Sequence, residues 1–428
     1  MRETCCVDRL HRDRAAPAQP QPRAVRVAVV GAGPVGLSLA LRMRQLGSRA
    51  ELQVFDAQPD AQAALADPRV LALSEGSRQL LQALGAWPGD AATAIRHIHV
   101  SQHASGLSSL PRVMLRAEEA ALPALGYTVR YGELLGALQA AARQAGIEVR
   151  YASPVAVREG QESVRLCPSS EAGDAAVGPA DGSADGSVGS GAGDAAQDFD
   201  LAVLAEGGAF HNQPQRELHH DYGQTALIGQ LRCDRAHDGL AVERFTPDGP
   251  VALLPRGADY ALVWCVPPQR AQDILRQGAT EALRALQGLL PAVCGRALDV
   301  QLFGSYPLGL NARVRTRRGR TVQLGNAAQT LHPVAGQGLN LGLRDSAVLA
   351  RLLAETDAAG LEAALRRYDL ARLPDRAVLL GLTDLLARGF TWDLPGAPAL
   401  RAGALAVLSA AWPLRRALQR HMLFGWRS

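Results

Sequence analysis

The sequence contains no lysine, so all 45 of its basic residues are arginine. Without lysine the chain cannot build a Walker-type phosphate loop, a pyridoxal Schiff base or a lysine nucleophile. Aromatic residues make up only 4% of the chain and are not interleaved with basic residues as in single-strand binders. The net charge of +4 is too small to indicate nucleic acid as a partner. These features disfavour several enzyme classes and every nucleic-acid-binding class.

Other absences concern cysteine pairs and long apolar segments. The six cysteines include no CxxC pair and no histidine at zinc-ligand spacing, so no metal site is predicted. Scattered thiols suggest a reducing compartment, and we therefore expect a cytoplasmic protein. No apolar run reaches the roughly 18 residues that a membrane-spanning helix needs. Residues 1–24 lack the apolar core of a secretory signal and are predicted to form a disordered extension.

The remaining chain has the composition of a large globular protein of the α/β class. It has 428 residues, of which 47% are apolar, enough for two domains. Residues 26–30, 37–46 and 52–55 read as strand, helix and strand, which is the start of a Rossmann-like parallel sheet. The later segments predict a flexible insertion at 168–197 that extends a hairpin loop, a mainly β region at 213–311 with one helix at 270–289, and a helical region from 336 onward.

The first chemical motif is GxGxxG, which follows the first strand and opens the first helix. Gly31 would allow the tight turn, Gly33 the close approach of a pyrophosphate, and Gly36 close packing of helix on strand. Asp56 ends the second strand, where a carboxylate can accept hydrogen bonds from a ribose. Together these features predict a dinucleotide site.

Two later segments are weaker signals by themselves. An apolar strand runs into Glu206 and Gly207, and another strand is followed by the glycine-rich run 325–345. Glycine lets the backbone approach a ligand closely, and the helix that begins in the run aims unpaired N–H groups at it. An anionic ring edge, such as that of a reduced flavin, would suit this helix end.

The three motifs, in this order and at these separations, resemble the class A flavoprotein monooxygenases. Within that class the chain is most similar to the ubiquinone-biosynthesis hydroxylases, and the similarity covers residues 25–428 except the insertion. Three further segments carry it: 67–74, 249–255 with 262–264, and 305–308. The resemblance implies a discontinuous FAD-binding domain (25–212 and 312–399), a substrate domain (213–311) and an amphipathic helical tail (400–428).

The resemblance also implies which residues bind FAD. They are Gly31, Gly33, Pro34, Gly36, Asp56, Arg69, Glu206, Gly207, Gly325, Asn326, Gly336, Gly338, Leu339 and Asn340. Two of them depart from the wider class, because Glu206 and Asn326 stand where most members have aspartate. Asparagine there, with Gln329 following, is the pattern of the branch that hydroxylates 2-polyprenyl-6-methoxyphenol.

The implied activity is the NAD(P)H-consuming hydroxylation of a polyprenylated phenol by O2 in ubiquinone biosynthesis. FAD carries the chemistry, and no second nucleotide fold for NAD(P)H is evident in the sequence. Two alternatives remain open: a class A hydroxylase of another phenol or ring position, and a non-catalytic flavin-binding subunit of a biosynthetic assembly. A flavin-dependent halogenase is disfavoured, because that family uses a lysine.

Two features of the sequence are open to more than one interpretation. His332 lies in the flavin-facing run, where a structural hydrogen bond is favoured over contact with the phenol or a proton relay. The tail 400–428 mixes arginine with apolar residues, so it can pack on the FAD-binding domain, lie on the inner face of the cytoplasmic membrane, or do both. A ubiquinone-biosynthesis complex is a further expected partner.

Overall fold

The computed structural model describes residues 23–103, 112–169, 196–207, 213–389 and 397–425. Most of the predicted extension and of the predicted insertion therefore lies outside the described residues. Arg23, at the end of that extension, is described, and its guanidinium pairs with Asp200 at 2.6 Å.

The described strands are numbered in chain order. The first ten are β1 (Arg26–Val30), β2 (Glu51–Phe55), β3 (Val70–Ser74), β4 (Thr93–Ile95), β5 (His97–Gln102), β6 (Arg112–Arg116), β7 (Gly126–Arg130), β8 (Val149–Arg150), β9 (Val155–Glu159) and β10 (Val164–Pro168). The others are β11 (Gln197–Phe199), β12 (Leu201–Leu204), β13 (Leu218–Cys233), β14 (Leu240–Thr246), β15 (Gly249–Arg256), β16 (Asp259–Val266), β17 (Ala297–Ala312), β18 (Arg317–Arg318), β19 (Thr321–Gln323) and β20 (Gln329–Thr330).

The described helices follow the same order. They are α1 (Pro34–Gln45), α2 (Glu75–Ala83), α3 (Tyr131–Gln144), α4 (Pro268–Gln277), α5 (Ala279–Leu289), α6 (Gly338–Ala354), α7 (Leu361–Gly389), α8 (Ala397–Ala410) and α9 (Trp412–Phe424). Helix α1 begins with proline at its first position, where the missing N–H costs nothing.

The predicted Rossmann-like sheet is present. Its order among the described strands is β18-β19-β12-β1-β2-β8, with β1 parallel to both β12 and β2. Val27 and Val29 face the helix layer, which contains α1, α3 and α6, while Ala28 and Val30 face a small antiparallel sheet. Because both faces of β1 are buried, its sequence is a continuous apolar run. The carboxyl ends of β1, β12 and β19 meet at one edge, and all three predicted motifs begin there.

The second large sheet has the described order β20-β17-β13-β16-β15-β14-β5-β6. Helices α4 and α5 cover one of its faces through an apolar core. The mainly β character predicted for 213–311 agrees with this sheet, but β5 and β6 come from residues 97–116. The predicted boundary at residue 213 thus does not enclose the whole sheet, and the domain limits stay a prediction.

One local prediction was wrong in detail. The single helix predicted at 270–289 is two helices, because Gly278 has a φ of +82° between α4 and α5. The predicted hairpin around the insertion agrees with the antiparallel pairing of β10 with β11, and the next strand, β12, belongs to the parallel sheet.

The helical C-terminus is confirmed. In the predicted tail, α9 packs on α2, and Leu423 joins a small apolar cluster with Ala117 and Leu125. No helix among the described residues is long and apolar enough to cross a membrane.

Candidate functional site

The first glycine loop connects β1 to α1 and is shaped partly by the protein itself. Gly31 has a φ of +105°, and a Cβ there would lie 2.7 Å from the amide nitrogen of Glu206. A Cβ on Gly36 would lie 2.0 Å from the carbonyl oxygen of Gly31, so helix and strand can approach this closely only at glycine. Both roles agree with those predicted from GxGxxG.

Gly33 differs from these two glycines. Its φ of −73° is open to any residue, and a Cβ there would meet only the hydroxyl oxygen of Tyr131, at 3.7 Å. The protein therefore has no steric need for glycine at this position. Gly33 lines a cavity of about 400 Å³, so the space beside its backbone is available to a ligand.

This cavity, which we name the nucleotide cavity, brings several predicted residues together. Its walls include Gly31, Gly33, Asp56, Glu206, Gly207, Tyr131, Gln139, Tyr151, Arg216, Arg313 and Ala327. Asp56 Oδ2 accepts a hydrogen bond from the amide of Ala32 at 2.6 Å, and Oδ1 accepts one from Gln58. The predicted ribose acceptor thus also fixes the glycine loop, and each oxygen keeps a second lone pair for a ligand.

Glu206 departs from the class pattern, and its environment offsets the extra negative charge. Burial, assisted by the charge of Asp56, raises the pKa of the Glu206 carboxyl above its ordinary value. A raised pKa lowers the charge that this side chain presents to an anionic ligand in the nucleotide cavity.

Two arginines supply the cavity with positive charge. Arg216 donates to the carbonyl oxygens of Asn311 at 2.9 Å and of Asn326 at 3.0 Å. Burial and the neighbouring charge of Arg313 lower the pKa of Arg216 to about 10, so it stays cationic at neutral pH. The sequence did not predict Arg216, because it lies in a polar stretch without a motif.

Arg69, predicted to lie against FAD, stands beside the nucleotide cavity. Its guanidinium pairs with Asp67 at 2.6 Å and lies 5.0 Å from the ring centroid of Tyr131, which lines the cavity. Arg69 therefore contacts the nucleotide cavity indirectly, by packing against its wall residue Tyr131.

The glycine-rich run 325–345 packs tightly on α1. Gly325 has a φ of +56°, and a Cβ there would lie 3.0 Å from Val35 Cγ2. A Cβ on Gly207 would lie 3.7 Å from Asn326 Cβ, so the second and third motifs are neighbours. The structure thus brings the three motifs to one edge of the sheet.

The start of α6 is fixed by Asn340. Its Oδ1 accepts from the amide of Ser74 at 2.8 Å and from Ser77 Oγ at 2.7 Å. Its Nδ2 donates to the carbonyl oxygens of Ala72 and Gly336, at 2.9 and 2.8 Å. The predicted cofactor role of Asn340 can therefore involve its backbone, while the side chain holds the helix end in place.

The remaining residues at this helix start leave it accessible. Gly336 has a φ of +58°, and a Cβ on Gly338 would meet no heavy atom of the described chain within 4 Å. Leu339 packs partly buried against the main core. Within the described residues no side chain caps α6 and no acidic residue lies in its first turn. Its N–H groups are available to an anionic group.

His332 is buried and held by two hydrogen bonds. Its Nδ1 accepts from the amide of Val334 at 3.1 Å, which leaves Nε2–H to donate to Gln224 Oε1 at 3.0 Å. Burial lowers the pKa of His332 to about 4, so the ring is neutral at neutral pH. This geometry supports the structural interpretation of His332 over a proton relay.

A second cavity, which we name the apolar cavity, has a volume of about 230 Å³ and lies against the start of α6. The second large sheet, β3 and the C-terminal helices form its other walls. Its lining residues include Ile98, Val100, Val113, Leu115, Phe245, Leu386, Leu405, Leu418, Met422 and Leu423. The polar residues among them include Glu243, Gln337, Asn340 and Arg415.

The residues at both cavities fit FAD. The nucleotide cavity has an open glycine backbone at Gly33, a carboxylate at Asp56 for a ribose, and two guanidinium groups for a pyrophosphate. The uncapped start of α6, at the apolar cavity, suits the electron-rich edge of a reduced flavin ring.

Replacing Gly33 by alanine tests this fit. We expect the Gly33→Ala variant to fold with nearly unchanged stability, because the new methyl group meets no protein atom closer than 3.7 Å. Its FAD affinity should fall at least about tenfold, a loss of ~1.4 kcal/mol, because the methyl group occupies ligand space. The FAD dissociation constant of the apoprotein measures this. Gly381→Ala, on the exposed face of α7, is the control; wild-type affinity in Gly33→Ala would contradict the predicted contact.

Comparisons with known proteins agree with this geometry. A family model described as an FAD binding domain matches residues 219–379. The ubiquinone hydroxylase UbiL of Rhodospirillum rubrum is 36% identical over 47% of this chain, a match that spans only 48% of that protein. The 3-demethoxyubiquinol 3-hydroxylase of Escherichia coli is 28% identical over 93% of this chain and 98% of its own length.

Solved structures show the same fold at low sequence identity. The p-nitrophenol 4-monooxygenase of Pseudomonas putida matches with a TM-score of 0.70 at 18% identity, covering 95% of this chain and 100% of that one. HpxO of Klebsiella pneumoniae, solved with FAD and uric acid, matches with a TM-score of 0.68 at 18% identity, covering 94% and 97%. The predicted α/β fold and FAD as the cofactor are thereby confirmed. The chain therefore carries an FAD binding domain and is similar to hydroxylases of ubiquinone biosynthesis, in agreement with the resemblance seen in the sequence.

Proposed function

We propose that the protein hydroxylates a 2-polyprenyl-6-methoxyphenol in ubiquinone biosynthesis, consuming NAD(P)H and O2. The observation that carries this proposal is the apolar cavity against the start of α6. A prenylated phenol offers an apolar ring and tail with one hydroxyl, which suits walls that are almost entirely apolar. Arg415, a cationic wall residue, pairs with Glu119 at 3.3 Å, so it favours a neutral substrate over a free carboxylate.

The protein's own groups would support the reaction by position and by exclusion of water. Bound FAD supplies the redox chemistry with NAD(P)H and O2. The start of α6, fixed by Asn340, directs N–H groups toward developing negative charge. Apolar side chains such as Val100 and Leu423 keep the reacting ring away from bulk water.

A second candidate is hydroxylation of a ubiquinone precursor at a different ring position. Similarity to the 3-demethoxyubiquinol 3-hydroxylase of Escherichia coli extends over 98% of that protein, and this supports the alternative. Both substrates present an apolar tail and a phenolic hydroxyl, so the apolar cavity suits either of them.

The experiment is lipid extraction from a strain that lacks this gene and any redundant hydroxylase. We expect ubiquinone to fall and a polyprenyl-methoxyphenol to accumulate, with both restored by the wild-type gene. The mass of the accumulated species separates the two ring positions. Normal ubiquinone without an intermediate would contradict the proposal.

We also propose that the protein contacts the inner face of the cytoplasmic membrane, where such a substrate resides. Exposed apolar residues on α8 and α9 support this: Val407, Trp412 and Leu414. Helix α9 also lines the apolar cavity, so the same helix would face both lipid and substrate. A ubiquinone-biosynthesis complex is a further proposed partner. Flotation with anionic vesicles tests the membrane contact, and recovery of all the protein in the unbound fraction would contradict it.

A further inference from the structure

Glu243 is a partly buried acidic residue on an interior strand of the second large sheet. It lies on β14, opposite Val100 of β5 and Ala252 of β15. Its neighbours along the strand point the other way: Arg244 donates to the carbonyl oxygen of Leu289 on α5 at 3.2 Å. Glu243 therefore faces away from the α4–α5 layer, and it lines the apolar cavity.

The carboxyl of Glu243 has an unused oxygen. Its Oε1 is buried and has no hydrogen-bond partner within the part of the chain that the structure describes. Burying a polar atom without a partner is unfavourable, so the position of this oxygen calls for a physical reason, and a ligand group is one. Glu243 is also one of the few polar residues that line the cavity of about 230 Å³, so its carboxyl can accept a hydrogen bond from a ligand there.

The titratable groups around Glu243 do not offset the negative charge of its carboxylate. Among the described residues that face it, Cys265 on β16 has a pKa raised well above its ordinary value by burial and by Glu243. Arg415, on the α9 wall, pairs with Glu119 at 3.3 Å. Burial alone raises the pKa of Glu243 to about 8. Glu243 thus exchanges its proton close to neutral pH.

We propose that Glu243 binds the hydroxyl of the phenolic substrate in the apolar cavity and accepts its proton during hydroxylation. This proposal rests on the proposed function. Glu243 belongs to the second large sheet and lines the same cavity as the start of α6, so it would orient and activate the ring from the sheet side.

The proton moves from the phenol to the carboxylate. The phenol O–H bond breaks, its electron pair stays on the phenol oxygen, and the proton binds to Glu243. The ring carbons ortho and para to the phenolate become richer in electrons, and one of them forms a C–O bond with one atom of O2 as the O–O bond breaks. NAD(P)H would supply the two electrons through bound FAD, and the second oxygen atom would leave as water. The displaced ring proton restores the phenol, and Glu243 releases its own proton before the next turnover.

The acidity of Glu243 suits this task. A phenol ionises near pH 10, as tyrosine does, so a carboxyl with a pKa of about 8 differs from it by only about two units. An ordinary glutamate would differ by about six units and would be a poor acceptor for this proton. The apolar surroundings of Glu243 therefore bring its pKa close enough to that of a phenol for the carboxylate to act as a general base.

The test uses the FAD-loaded enzyme and 2-methoxy-6-prenylphenol as the probe. We expect wild-type kcat/KM for hydroxylated product to rise with pH, with a midpoint near 8, because the base must be ionised. Glu243→Gln should keep its FAD and its fold, lose this pH limb and show kcat lower by about 100-fold or more. Glu243→Asp should retain the limb at a reduced rate. Glu148→Gln, the same change at an exposed site, should behave as wild type.

The outcomes separate the role of Glu243 from the proposed function. If the wild type forms product and Glu243→Gln retains both kcat and the pH limb, the role of Glu243 is wrong and the function stands. If Glu243→Gln raises only KM with the limb intact, the proton transfer is wrong. If the wild type forms no product and the deletion strain has normal ubiquinone, the proposed function fails, and the role of Glu243 with it.

Discussion

Replacing Arg372 by methionine is expected to lower the free energy of unfolding by about 3 to 5 kcal/mol. Arg372 on α7 pairs through Nε with Asp345 at 2.6 Å and through Nη2 with Asp375 at 2.7 Å. The side chains of both aspartates are 0% exposed, and that of Arg372 is 4% exposed. Removal of the cation leaves the buried Asp345 carboxylate with the neutral amide of Gln329 as a hydrogen-bond donor, and it leaves Asp375 to Arg344. Asp345 thus loses its hydrogen-bonded cation while staying buried, which costs more than the lost ion pair would contribute in water.

The electrostatic surroundings support this expectation. Burial disfavours the charged guanidinium, but the carboxylates of Asp345 and Asp375 outweigh burial and raise the pKa of Arg372. Asp345 lies on α6, so the ion pair with Arg372 connects α6 to α7. Loss of this connection should also weaken FAD binding, because the start of α6 would no longer be held in one position.

The control is Arg366→Met, on the same helix. The Arg366 side chain is 72% exposed and pairs with Glu362 at 3.0 Å, an exposed pair of the kind that contributes about 0.5 kcal/mol or less. Arginine and methionine have similar helix propensities, so the difference between the two variants isolates the buried network. Urea denaturation of both at neutral pH measures it. Equal losses in the two variants would contradict the importance of the network.

Replacing Gly36 by alanine is expected to lower stability by more than about 3 kcal/mol and to abolish FAD binding. The new Cβ would lie 2.0 Å from the carbonyl oxygen of Gly31 and 3.3 Å from Ala205 Cβ. Backbone atoms cannot yield as a side chain can, so α1 must move away from β1 and β12. Overpacking a core by one methyl group commonly costs about 1 to 3 kcal/mol, and a backbone clash of this depth should exceed that range.

The control is Gly288→Ala in α5, where a Cβ would meet no heavy atom of the described chain within 4 Å. Alanine is favoured over glycine inside a helix by about 0.5 to 1 kcal/mol, so this variant should be equally or slightly more stable. Thermal unfolding and the visible absorbance of copurified FAD measure both variants. A yellow Gly36→Ala protein with unchanged stability would show that the helix does not pack as closely as the structure indicates.

Local signals explain why the sequence predicted much of the nucleotide cavity. A glycine at a positive φ, such as Gly31, and an acid at a strand end, such as Asp56, act within a few residues of the chain. A strand buried on both faces, such as β1, reads as an apolar run whatever its neighbours are. These features predict the parallel sheet and the glycine loops without knowledge of distant contacts.

Non-local contacts explain what the sequence did not predict. Arg216 reaches the nucleotide cavity because β13 pairs with β17, whose residue Asn311 it contacts. Strands β5 and β6 join the second sheet through a parallel pairing with β14, more than a hundred residues away. The break between α4 and α5 depended on Gly278, whose conformation the helical pattern around it concealed.

The sequence by itself predicted the glycine loops and the α/β class, because glycine spacing and apolar runs impose local backbone geometry. The sequence also contains no lysine, and this alone excludes the enzyme chemistry that requires one. Only the tertiary structure decided that Asn340 holds a helix end, that His332 is neutral and buried, and that Glu243 faces an apolar cavity. The physical reason is that burial, pKa and hydrogen-bond partners depend on segments that meet only when the chain folds.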